Sequence, residues 1–318
     1  MRIAHLDAFT ADQGVDRWGP LRALGELTVH PRTAPAELRE RAQGCEVLLT
    51  NKVAIDGAAI DDLPQLKYVG VTATGVNVVD LSACRTRGIA VTNVPGYSTE
   101  AVAQLVFAYL LHLSHDVAGH DARVKAGDWA RCPDFSFFTR PPWELAGRCL
   151  VVVGMGAIGG AVARIARGFA MRVIAAAVPG SKAGDRMPLD EALAQADVVT
   201  LHCPLTPQTK QLVDRRFLAA LKPGAILINT GRGALIDETA LANSLGDGRL
   251  RAAALDVLAS EPPPADHPLI AATAPWASRL VVTPHIGWGS DEARARLVRE
   301  VVDNLAAWCG GRRRNRVD

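Results

Sequence analysis

Three side chains of different chemistry follow apolar, strand-like runs in the second half of the chain. Arg232 lies in INTGRGALID after Ala225 to Thr230, Glu261 in LDVLASEPPP after Ala252 to Val257, and His285 in VVTPHIGW after Leu280 to Thr283. A guanidinium fork binds a carboxylate with two parallel hydrogen bonds. An imidazole exchanges a proton near neutral pH, and a carboxylate beside it fixes its tautomer and favours its charged form. Together they match what reduction of a carbonyl next to a carboxylate needs: a cation for the acid group, a proton donor for the carbonyl oxygen, and a partner for that donor. Any one of them alone reads more simply as a surface or structural residue. Three at strand ends make a set.

A source of hydride stands upstream, in VVVGMGAIGGAVARIA. Val151 to Val153 read as a strand and Ala157 onward as a helix, with Gly154, Met155, Gly156, Ala157, Ile158 and Gly159 forming the GxGxxG turn between them. Gly154 permits the tight turn, Gly156 lets a pyrophosphate approach the backbone, and Gly159 lets helix and strand pack closely. The free N–H groups of the helix N-terminus then face the phosphates. An acid that would bond the ribose 2′-hydroxyl is expected near Ala177, at the end of the next strand, MRVIAAAVPGSK, and is absent. Its loss removes a repulsion against a 2′-phosphate, and Ser181, Lys182 and Arg186 follow closely. The cofactor is thus NAD or NADP.

The elements that must position these groups alternate between strand and helix. Arg2 to Asp7, Glu46 to Asn51, Leu66 to Ala73 and Ile89 to Val94 read as buried strands, with helices at Pro35 to Gln43 and Val78 to Arg87. A long apolar helix spans Thr99 to Leu113, and an aromatic-bearing loop follows from Ala126 to Pro142. A second series has strands at Cys149 to Val153, Arg172 to Ala177, Val198 to Cys203, Ala225 to Thr230, Ala252 to Val257 and Leu280 to Thr283, and ends in a helix from Ser290 to Trp308. The fold class is α/β: two doubly wound parallel-sheet domains, Rossmann-like or flavodoxin-like, with a cleft between them. Residues 1–98 plus 290–318 form the expected substrate-binding domain, and residues 99–289 the dinucleotide-binding domain.

Composition excludes several classes. Of the 318 residues 49% are hydrophobic and 21% charged, and the net charge is +2, which gives no field for nucleic acid or a membrane surface. The Arg312 to Arg316 cluster reads as a solvated tail. The six cysteines include no CxxC pair, so no metal site is expected. Met1 to Asp7 lacks the layout of a signal peptide, and the apolar stretch Ala101 to Leu113 is too short to span a bilayer, so a cytoplasmic protein is expected.

Read in order, NKVAID, VTATGVNVVDL, VTNVPGYSTEAVAQLVFAYLL, GMGAIG, LHCPLTPQT, NTGRGALIDE, ALDVLASEPP and TPHIGW resemble the D-isomer-specific 2-hydroxyacid dehydrogenases over nearly the whole chain. VPGYSTEAVAQ and the Trp after TPHIG resemble the glycerate dehydrogenase and hydroxypyruvate reductase branch. The resemblance implies Arg232, Glu261 and His285 as the catalytic triad. It also implies that the backbone of Thr74, Gly75 and Val76 grips the substrate carboxylate, with Lys52 and Trp288 near the substrate side chain. His202, Pro204, Thr209, Thr230, Gly231, Asp256 and Gly287 would border the cofactor, Asp256 facing the nicotinamide carboxamide. The implied reaction is hydride transfer between NAD(P)H and a small 2-oxo acid, hydroxypyruvate or glyoxylate, in a homodimer. Asn51 and Lys52 suit a hydroxyl-bearing substrate. The alternatives are a larger D-2-hydroxy acid, a nicotinamide-sensing protein without catalysis, and formate or phosphite oxidation on the same scaffold.

Overall fold

A computed structural model describes residues 1–182 and 184–318. The chain divides into two compact units, Met1–Ser98 with Trp288–Asp318, and Thr99–Gly287. The second segment of the first unit begins two residues before Ser290. Ser290 itself is the N-cap of the last helix, its Oγ accepting from the Ala293 N–H at 3.2 Å.

The first unit is a parallel five-stranded sheet, with strands β1 (Arg2–His5), β2 (Glu26–Val29), β3 (Val47–Thr50), β4 (Tyr68–Val71) and β5 (Ala90–Thr92) in the order β2-β1-β3-β4-β5. Strands β3 and β4 are buried at every position, as expected for a sheet covered on both faces. The edge strand β2 has no counterpart in the sequence reading. Its four residues ELTV are exposed or half-buried, so no continuous apolar run marks it. Asp56 and Asp80 cap short helices by accepting from Ala59 N and Ala83 N, both at 2.9 Å. The last helix, Asp291–Cys309, buries Leu297, Val301 and Leu305, a stripe at helical spacing. It is tied to this sheet where Asn304 Nδ2 donates to the Asn93 carbonyl at 2.9 Å and where Trp308 packs against Tyr68 with ring centroids 5.1 Å apart.

The second unit is a parallel six-stranded sheet of β6 (Cys149–Val153), β7 (Arg172–Ala176), β8 (Val198–Leu201), β9 (Ala225–Asn229), β10 (Leu250–Leu255) and β11 (Leu280–Val282), ordered β11-β10-β9-β8-β6-β7. Alternate residues feed opposite cores. Val151, Val153, Leu201 and Leu227 enter one, while Leu150, Val152, Ile226 and Ile228 enter the other with Val106, Phe107 and Leu110 of the helix Thr99–His115. A further helix, Val117–Lys125, starts after Asp116 at φ 48° and buries none of its residues. The sequence reading has no helix there because no apolar stripe marks one. Among the described residues no single helix is long and apolar enough to cross a membrane.

Each sheet has one place where chain order reverses: between β1 and β3 in the first unit, and between β6 and β8 in the second. In open parallel sheets the carboxyl ends of the strands at such a point are where ligands bind. The loops after β1, β3, β6 and β8 are therefore where a bound ligand is expected.

Candidate active site

The GMGAIG turn sits at the reversal point of the second unit. Gly154 has φ 105°, and a Cβ there would lie 2.5 Å from Cys203 N, so only glycine fits between the ends of β6 and β8. A Cβ at Gly159 would lie 2.0 Å from the Gly154 carbonyl oxygen, which shows how closely the helix Ala157–Gly168 packs on the turn. A Cβ at Gly156 would meet nothing within 4 Å. That open, exposed backbone at a helix N-terminus fits a pyrophosphate. Met155 and Ile158 are half-buried against the core beneath.

The neighbouring strand ends complete the cradle. His202 accepts or donates at Nε2 to Thr200 Oγ1 at 2.9 Å, and burial pushes its pKa down to about 4, so it is neutral at physiological pH. Thr209 Oγ1 donates to the Pro204 carbonyl and accepts from Thr206 N, both at 2.7 Å, which closes the loop after β8. Gly231 N donates to Asn229 Oδ1 at 3.0 Å. Thr230 Oγ1 is buried and has no hydrogen-bond partner among the described residues. A buried hydroxyl without a partner, at a strand end of the same sheet as the glycine turn, fits a polar cofactor. Ala177 ends this cradle on the β7 side, its N–H bonded to the Met187 carbonyl at 2.8 Å, with Ser181 and Lys182 exposed beyond it.

The loops after β9, β10 and β11 carry the three chemistry-bearing side chains, and two of them, Glu261 and His285, meet directly. Gly233 lies against the Leu258 backbone so tightly that a Cβ would be 1.9 Å from its carbonyl carbon. This packing sets the Arg232 segment on the loop that leads to Glu261. Leu258 N donates to Glu261 Oε1 at 3.2 Å, and Glu261 Oε2 meets His285 Nδ1 at 2.7 Å. With Glu261 accepting, the proton resides on Nδ1 and Nε2 is left for substrate; side-chain exposures of 28% for His285 and 33% for Glu261 keep the pair reachable. Arg232 Nη1 donates to the Gly231 carbonyl at 2.8 Å, and no carboxylate pairs with this guanidinium among the described residues. A half-buried guanidinium without a counter-ion suits an incoming carboxylate.

Asp256 has a task that the sequence reading missed. It is 2% exposed, and its carboxylate accepts from Thr283 Oγ1 at 2.5 Å, Ile286 N at 2.8 Å and Gly287 N at 2.8 Å. Its own carbonyl accepts from His285 N at 2.8 Å. These bonds hold His285 at φ 54°, a left-handed conformation that a non-glycine residue adopts only when its surroundings enforce it. The Tyr109 hydroxyl bonds Thr283 Oγ1 and extends the network to the helix Thr99–His115. Spacing alone gave no signal for this, because the partners lie 27 to 31 residues away.

The remaining candidates belong to the first unit. Lys52 follows β3 and is exposed. Thr74, Gly75 and Val76 follow β4, their loop held by Asn93 Nδ2 donating to the Thr74 carbonyl at 2.7 Å and by Thr74 Oγ1 donating to Val94 O at 2.9 Å. Trp288 opens that unit's second segment and is half-buried. Among the described residues no group of three His, Cys, Asp or Glu side chains converges as a metal site.

Asp256→Asn keeps the side chain's shape but turns an amide NH₂ against backbone N–H groups. It is expected to lower kcat by about 10²-fold, the scale of a misplaced catalytic group, with the far-ultraviolet circular dichroism unchanged. Wild-type kcat in that variant would remove Asp256 from the positioning of His285.

Comparison with known proteins gives the family. The family described as D-isomer specific 2-hydroxyacid dehydrogenase, NAD binding domain, matches residues 107–287. A hydroxypyruvate reductase of Blautia hydrogenotrophica is 37% identical over 98% of this chain and 98% of its own length. A glycerate dehydrogenase of Methylorubrum extorquens is 39% identical over 89% of each. Among solved structures, a Thermus thermophilus protein superimposes with a TM-score of 0.84 and 38% identity over 100% of both chains. The chain belongs to the D-isomer-specific 2-hydroxyacid dehydrogenase family.

Proposed function

We propose that this enzyme reduces hydroxypyruvate and glyoxylate to D-glycerate and glycolate with a reduced nicotinamide cofactor. The observation that carries the reading is the His285–Glu261 pair at 2.7 Å, on a strand-end loop bound to the one that presents Arg232. Similarity to a hydroxypyruvate reductase and a glycerate dehydrogenase along most of their length supports the substrate class.

Arg232 takes the substrate carboxylate through its guanidinium fork. A reduced nicotinamide cofactor, held at the GMGAIG turn, would supply the hydride when bound. Nε2 of protonated His285 gives its proton to the carbonyl oxygen, so the product leaves as a neutral hydroxyl and the imidazole is left uncharged. Glu261 holds Nδ1–H throughout, keeping the ring aligned and compensating its charge before the transfer. In the oxidising direction the same Nε2 accepts the proton. His285→Ala is expected to lower kcat roughly 10²–10⁴-fold, the range for losing a general acid or base. A variant that turns over hydroxypyruvate at the wild-type rate would end this assignment.

For the cofactor, Ala177 in place of an acid supports tolerance of a 2′-phosphate, and Lys182 and Arg186 offer charge nearby. Calorimetric titration with 2′,5′-ADP and 5′-AMP is expected to show the bisphosphate binding at least as tightly. Preference for 5′-AMP by tenfold or more would assign NAD instead.

A homodimer is part of the proposal. Trp129, Phe135 and Phe138 are 52%, 91% and 64% exposed in the loop after the helix Val117–Lys125, an aromatic surface that a second copy would cover. Sedimentation is expected to give twice 33.8 kDa, and a species at the single-chain mass would refute it.

One observation favours a second reading, a larger D-2-hydroxy acid. A cavity of about 570 Å³ beside Glu261 and His285 is lined by Leu269, Ile270, Leu280 and Val282. Comparing kcat/KM for hydroxypyruvate with that for branched-chain 2-oxo acids separates the two.

A further inference from the structure

Between the end of β10 at Leu255 and the short 3₁₀ turn Pro268–Ile270 the chain has no helix or strand, yet this stretch carries Glu261 to His285. Packing does little to hold it there. Leu258, Pro262 and Pro263 of the loop line the cavity of about 570 Å³, with Leu269 and Ile270 beside them. Apolar groups that face a cavity forgo the contacts that fix a core side chain. Polar ties must therefore set the position of Glu261.

One carboxylate supplies such ties at both ends of the loop. Glu238 opens the helix Glu238–Gly246, which buries Leu241 and Leu245 and is capped by Asp237 accepting from Thr239 N and Ala240 N. From this seated helix, Glu238 Oε1 accepts from Ala259 N at 2.9 Å, and Oε2 meets His267 Nε2 at 3.1 Å. Leu269 N donates to His267 Nδ1 at 3.3 Å, and a backbone N–H can only donate. The ring proton of the neutral imidazole thus lies on Nε2, where Glu238 accepts it. His267 is buried, so water offers this proton no ready alternative. Two successive amides of the loop then serve two carboxylates: Leu258 N donates to Glu261, and Ala259 N to Glu238.

We propose that Glu238 and His267 are positioning residues for the proton-transfer pair: Glu238 joins residues 259 and 267 across the loop and so holds Glu261 against His285 Nδ1. The proposal rests on the reading of Glu261 and His285 as the pair that moves the proton. All of its parts lie within the second unit. Such a device acts on the chemical step and leaves the grip of Arg232 on the substrate carboxylate intact, so its loss lowers kcat and spares KM.

The test is a double-mutant cycle of Glu238→Gln with Glu261→Gln. Each variant is assayed for kcat and KM with whichever of hydroxypyruvate, glyoxylate and a branched-chain 2-oxo acid the wild type turns over fastest. Glu238→Gln keeps the shape, but its amide has a single acceptor: if that takes Ala259 N, an NH₂ faces the N–H of His267. The imidazole cannot switch tautomer without turning Nδ1–H on Leu269 N–H, so one tie is lost. In the wild-type background kcat is expected to fall about 10-fold at unchanged KM, as for loss of one charge-assisted hydrogen bond. In the Glu261→Gln background the same substitution is expected to cost less than about twofold, because the group it positions is gone. An equal loss in both backgrounds overturns the proposal, since Glu238 would then act without Glu261, and so does wild-type kcat in Glu238→Gln. Wild-type kcat in Glu261→Gln is a different failure: it removes the reading of the pair, and the positioning role with it. Should Glu238→Gln not fold, His267 decides. His267→Gln retains an N–H donor for Glu238 and is expected to keep most of kcat, whereas His267→Ala is expected to lose about 10-fold at unchanged KM; equal kcat in the two overturns the proposal. In the wild type, the Ala259 amide is expected to exchange with solvent as slowly as those of β10, and exchange at open-loop rates would refute the tie.

Discussion

The active-site geometry depends on one buried carboxylate. Asp256 sits just past strand β10, with its oxygens filled by Thr283, Ile286 and Gly287. Burying a carboxylate costs several kcal/mol unless its acceptors are satisfied. Here they are satisfied by the residues that flank His285, so the desolvation cost of Asp256 is offset only when the turn after β11 is correctly folded. Stability and the placement of His285 are coupled through that requirement: the left-handed backbone of His285 is tolerated because these bonds over-determine it.

Parallel sheets explain why such devices collect at one edge. Every strand in each unit runs the same way, so all the loops that follow strands emerge together. The glycine turn after β6, the loop after β8, Arg232 after β9, Glu261 after β10 and His285 after β11 thus share one rim of the second unit. Backbone hydrogen bonding within the sheet fixes the strand ends, and the loops need only short-range ties: Leu258 N to Glu261, Thr209 to Pro204, Gly231 to Asn229. The first unit repeats the pattern with a different chemistry, the Asp7 carboxylate just past β1 bonding the loop after β3.

Residues whose role follows from their own chemical type were legible. Gly154, Gly156 and Gly159 are separately explained by a positive φ, an open approach and a close contact, in the order the motif assigns. Strands with continuous apolar runs, such as β3, β6 and β9, were legible too, because burial on both faces leaves no polar alternation. The edge strand β2 and the exposed helix Val117–Lys125 were not, since neither buries a face that leaves a periodic trace.

The fold class, the glycine turn, the missing acid at Ala177 and the candidate side chains Arg232, Glu261 and His285 were readable along the chain, because each is a matter of residue type and local spacing. Folding in three dimensions is what brings Glu261 to Nδ1 of His285, sets Asp256 against the turn that carries that histidine, leaves the Thr230 hydroxyl without a partner among the described residues, and bonds Asp7 to the loop of Lys52. These are hydrogen bonds between atoms as many as 46 residues apart. Their existence depends on strand order and on which loops the sheet brings to its rim, and neither leaves a mark in local composition.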